Sequence, residues 1–108
     1  MSDRSIPSRH YHELASLFPE AMTALENLGA TLRRSGPLDA KSSHLIQLAG
    51  AAAAQSEGAV HSHTRRAREA GASREEIYHA LLLLVSTIGF PKVAAAFSWS
   101  KDVLDKQG

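Results

Sequence analysis

The chain has 108 residues, a formal net charge of +1 and no cysteine. That length suits one compact domain, 1–108, which buries about two thirds of the surface its unfolded chain exposes, so a core shared with further copies is expected to help it. Nearly balanced charge gives no global pull toward nucleic acid or an anionic membrane, and the missing cysteines exclude disulfides, thiolate zinc sites and thiol redox chemistry.

Residues 1–8 are mostly polar and read as a flexible tail. They lack the apolar run and cleavage pattern of a secretory signal, so the expected compartment is the cytoplasm. From Arg9 onward Leu14, Leu17, Phe18, Met22, Leu25 and Leu28 recur at helical spacing. Pro19 divides this stretch, which predicts a short helix ending near Phe18 and a second with Pro19 in its first turn. Gly36-Pro37 closes the second helix.

Asp39 is the expected cap of a third helix, "AKSSHLIQLAGAAAAQ", whose alanines and Gly50 allow close helix contact. A brief break at 56–58 leads to a fourth helix ending at Gly71, a residue suited to a left-handed cap. Ser73 and Glu76 have the spacing of a capping box and open a fifth helix. Its apolar residues run on nearly every side from Ile77 through "ALLLLVSTI", predicting a helix buried all round by its own chain or by another copy. The run is too short to span a bilayer. Gly89 and Pro91 are read as a break before a last helix, "KVAAAFSWSKDVLDKQG", with Val93, Phe97 and Val103 packing and Trp99 nearer an interface. No strand pattern is sustained, so the fold class is all-α, with about five to six helices.

On the fourth helix, Ser56, Ala59, Val60, His63, Ala67 and Ala70 form one stripe at ~100° per residue. His63 is central to that largely apolar face, whereas His61 points to the other side, toward solvent or a subunit boundary. Two histidines so placed on a regular helix cannot share a metal ion, and "HYH" at His10–His12 fails for the same reason, so no metal site is expected. By periodicity alone His63 reads as a core histidine bonded to a carbonyl.

Two segments give His63 a different standing: "HTRRAREAGASREEIYHALLLLVSTIG" and "GFPKVAAAF". With the small-residue helix before them they resemble the carboxymuconolactone decarboxylase and alkylhydroperoxidase D superfamily, over roughly residues 38–104. Lys92 and Val93 replace the paired alanines of the lactone decarboxylase pattern Gly-x-Pro-Ala-Ala-x-x-Ala-Phe. The peroxidase branch carries Cys-x-x-Cys-x-x-x-His with a glutamate twelve residues before the first cysteine. Here the two cysteine positions hold Ser56 and Ala59, the glutamate position holds His44, and only His63 survives.

The resemblance therefore implies a redox-dead member without thiol peroxidase activity, nearer to the lactone decarboxylases. It implies a cofactor-free carboxy-lyase acting on a small carboxylated, lactone-type metabolite, with His63 as general acid or base and His44 relaying to it or orienting it. Ser56 and Glu57 are candidate hydrogen-bond partners, and His61 and Arg66 are candidates for binding a carboxylate. The alternative is a catalytically silent oligomer that binds a ligand or has a structural role. The family resemblance also implies homotrimers, often paired into hexamers. The arginines of "RRAR" are followed by Glu69, Glu75 and Glu76 without a helix-turn-helix or an aromatic platform, so a nucleic-acid partner is not expected.

Overall fold

The computed structural model describes residues 9–107, so the expected tail at 1–8 lies outside the described residues. Within them the chain forms six helices and one single-turn segment: α1 (Arg9–Leu17), α2 (Pro19–Arg34), α3 (Ala40–Ala53), α4 (Glu57–Glu69), α5 (Arg74–Leu82), α6 (Val85–Ile88) and α7 (Phe90–Gln107). Pro19 occupies the first turn of α2, where its missing N–H costs nothing. The Asp39 carboxylate accepts from the Ser42 N–H at 2.7 Å to cap α3. Ser73 and Glu76 form the reciprocal capping box of α5. Gly71, at φ +104°, lets the chain leave α4 while the Ala72 N–H returns to the Ala67 carbonyl at 2.9 Å.

α3 and α4 make a tight hairpin that forms one side of the core. Leu48, Ala52, Val60 and Ala67 are fully buried between the two helices and α5 and α7, together with Ile77, Leu81, Ala96 and Leu104. Alanine at the contact positions keeps the backbones close, and the buried Thr64 and Ser100 hydroxyls bond at 2.7 Å to join α4 to α7. The hairpin turn is fixed by Gln55, a non-glycine residue at φ +55°. That left-handed conformation costs on the order of 1 kcal/mol. The Gln55 Nε2 offsets it by donating to the Ala52 carbonyl at 2.8 Å and to the Lys92 carbonyl of α7 at 3.1 Å.

Three expectations are corrected. The apolar run after Ile77 is two segments, not one helix: α5 stops at Leu82, the chain turns at Leu83–Leu84, and α6 is a single turn ending at Gly89. Within the chain Ile77 and Leu81 are buried and Leu84, Val85 and Ile88 pack partly against the core, while Leu82 and Leu83 are 63% and 62% exposed, so their burial would take another copy. The last helix begins at Phe90, so Pro91 lies inside its first turn. Phe97 and Trp99 exchange the expected roles: Trp99 packs on the core, and Phe97 stays exposed with its ring 4.6 Å from that of Tyr78.

Candidate functional site

The hairpin turn at 54–56 sets α3 against α4 and brings His44, on α3, opposite His63, on α4. Their Nδ1 atoms are 3.3 Å apart and the rings are tilted by 37°. Because one Nδ1 must donate and the other accept, the two neutral rings hold opposite tautomers. The donor keeps its Nε2 as an acceptor, and the acceptor carries its proton on Nε2. His44 is 8% exposed and His63 is half-buried.

The pair stands between two openings. A cleft of about 430 Å³ is lined by His63, Ser56, Gly58, Ala59 and Ser62 on one side and by Tyr11, Leu25, Glu26, Gly29 and Arg33 of the α1–α2 hairpin on the other, with Gln47 and Arg66. A second, of about 460 Å³, is lined by His44 and Ala40 with Glu26, Arg33, Arg66, Glu69 and Ala70. Glu26, Arg33 and Arg66 thus border both openings. The Arg33 guanidinium is steered by α3, donating from Nη1 to the Gln47 Oε1 at 3.4 Å.

Charge and burial hold both imidazoles neutral. The His44 pKa is lowered to about 4, first by burial and then by Arg33 and Arg66. That of His63 is also lowered to about 4, by burial, by His44 and by Arg66, Arg33 and Arg65. Arg33 itself is pushed below its ordinary value by burial and by Arg66, which marks two guanidinium groups crowded toward one region. Such a site favours an anion.

The structure thus brings together His63, His44, Ser56, Ala59 and Arg66. It leaves two of the expected site residues outside both openings. Glu57 is exposed, and its carboxylate lies 3.8 Å from the His61 Nε2. His61, expected to point toward solvent or a subunit boundary, has its side chain 28% exposed and its Nε2 enclosed without a hydrogen-bond partner among the described residues. Arg33 and Glu26 on α2, Tyr11 on α1 and Gln47 on α3 were missed from sequence, because nothing in the spacing of these polar or aromatic residues separates them from ordinary solvated positions. Among the described residues no three histidine or carboxylate side chains cluster to hold a metal ion, and no helix is long and apolar enough to cross a membrane.

No protein with a curated description matches the chain. The fold is similar to the crystal structure of apo-lpg0406, a carboxymuconolactone decarboxylase family protein from Legionella pneumophila, with 28% identity, a TM-score of 0.73 and 87% of each chain covered. The model of the carboxymuconolactone decarboxylase family matches residues 19–102. That match spans α2 to α7, both histidines and every helix that borders the two openings except α1, and on it the chain belongs to the carboxymuconolactone decarboxylase family.

Proposed function

We propose that the protein is a cofactor-free carboxy-lyase that uses histidine acid/base chemistry on a small carboxylated, lactone-type metabolite. The observation that carries this is the neutral His44–His63 pair at 3.3 Å, open on both sides to clefts bordered by Arg33 and Arg66. In the proposed step the bond to the departing carboxylate breaks and carbon dioxide leaves. The electron pair moves into the conjugated carbonyl, where a guanidinium offsets the enolate charge. His63 then delivers one proton to carbon, and the pair regains a proton from solvent through the opening at His44. The chain holds no cysteine, so thiol peroxidase chemistry is not open to it.

The free pair is neutral at pH 7, so the transferred proton must be taken up with the anionic substrate, whose charge favours imidazolium. Turnover therefore falls as pH rises above the pKa reached in the complex. The test is release of carbon dioxide from a panel of carboxylated lactones by wild type and His63→Ala. Wild type is expected to release it, and the variant to lose about 10²-fold or more. No release by wild type from any member of the panel sinks the enzyme reading.

One observation favours the silent alternative: His44 and His63 already satisfy one nitrogen of each other, as a core pair would. Ligand binding without release would select it. We also propose self-association into trimers or hexamers, supported by the family resemblance and by exposed Leu82 and Phe90 on an apolar groove between α5 and α7. A stable monomer in light scattering at micromolar concentration overturns that.

A further inference from the structure

We propose that Arg33, on α2, is the specificity-determining residue of the cleft: with Arg66 it receives a single carboxylate of the ligand beside His63. This rests on the reading of the cleft as a site for a carboxylated metabolite, and it names the group that makes it so.

The geometry singles out Arg33 in three ways. It borders both openings, so it reaches the approach to His63 and the approach to His44. It is half-buried and anchored by a neutral partner, the Gln47 side-chain oxygen, at 3.4 Å, which leaves its charge unspent. None of the ion pairs among the described residues includes Arg33 or Arg66. The cation is thus directed into the cleft by a hydrogen bond that does not neutralise it, the arrangement expected of a preorganised anion receptor.

The charges around the pair fix the ligand class. With the imidazoles neutral, the cleft at His63 presents Arg33 and Arg66 against Glu26, an excess of one positive charge that one carboxylate balances. The opening at His44 adds Glu69 and has no such excess. Arg65, on the same helix as His63, adds a weaker positive influence on that ring. The carboxylate therefore belongs in the His63 cleft, where Leu25, Gly29 and Ala59 offer apolar or small surface to the rest of a small ligand. Once seated it cancels the repulsion that Arg33 and Arg66 exert on the pair and adds attraction for a proton, so binding and proton uptake are linked.

The test uses butyrate as the probe and butyramide as its uncharged control, with wild type, Arg33→Gln and Arg33→Lys. Affinity and the imidazole titrations are both read from histidine ring nitrogen resonances. In ligand-free Arg33→Gln the histidine titration should rise above about 4, because a repelling charge is gone, while burial and Arg66 still hold it well below 6.5. In the same variant butyrate should bind at least about tenfold more weakly. Arg33→Lys should keep the low titration and part of the affinity, and butyramide should bind none of the three measurably. A merely structural Arg33 would not move the titration upward while lowering affinity, nor be rescued by charge. If Arg33→Gln leaves butyrate affinity and the titration unchanged, the inference is overturned while the carboxylate reading stands. If wild type binds butyrate no better than butyramide, the carboxylate reading itself fails and the ligand role of Arg33 fails with it.

Discussion

The α3–α4 hairpin and the α1–α2 hairpin are both made of helices joined by short turns, yet they end in opposite states. In the first, Leu48, Ala52, Val60 and Ala67 are fully enclosed. In the second, α2 has no buried residue, and Leu14, Leu17, Phe18, Leu25, Leu28 and Leu32 remain exposed within the chain. The difference is one of fit and not of hydrophobicity. Small side chains let α3 and α4 approach closely and share α5 and α7 as covers. The leucine stripe of α2 meets no comparable surface in its own chain. What α2 contributes to the site is charge beside Leu25 and Gly29: Glu26 and Arg33 complete the wall facing the histidines.

That contrast is open to breaking. Leu48→Ala should cost about 2–5 kcal/mol in a urea unfolding experiment, because the cavity it leaves is lined by helices that cannot collapse. A cost near zero would mean that the hairpin core is loosely packed. Smaller is the effect of pH at the seam between the hairpins, where His44 and His63 sit under the charge of Arg33. Above pH 6.5 the pair is neutral folded or unfolded. As pH falls below 6.5 the unfolded histidines take up protons that the folded pair, with pKa values near 4, does not, so stability drops until about pH 4. After allowance for solvent screening through the two openings, the loss is about 2 kcal/mol. The urea midpoint measured from pH 7 to 4.5 should show the slope in wild type and not in a His44→Leu, His63→Leu double variant. Smallest is Leu28→Ala on α2, expected to cost under about 0.5 kcal/mol in the monomer. A cost comparable to that of Leu48→Ala would show the arm to be a packed element.

Local chemistry was legible wherever a short-range signal had a short-range cause. Pro19, Asp39, Ser73 with Glu76, and Gly71 act on backbone groups within four residues, and each does in the structure what its position implied. His63 and His44 were legible through the family motif, since their facing arrangement depends on a turn at a fixed place in that pattern. The run from Ile77 to Ile88 was read as one helix because apolarity on every side signals burial without saying by what or where the chain turns; within this chain Leu82 and Leu83 stay uncovered. The break expected at 56–58 falls instead at 54–56, because glutamine is an ordinary residue and nothing local signals that Gln55 takes a left-handed conformation held by a carbonyl on α7.

Period, caps and motif alone were enough to make the chain all-α, to place where most helices start and stop, and to set it in the carboxymuconolactone decarboxylase family, and its lack of cysteine closes thiol chemistry to it. These follow from period, caps and composition, which act locally or not at all. Only the tertiary structure decided which charges surround the histidines. Arg33 lies thirty positions before His63, and no rule of spacing joins them. They meet because α2 lies across the cleft left beside the α3–α4 hairpin, and long-range electrostatics depends on distance in space, to which distance along the chain is no guide.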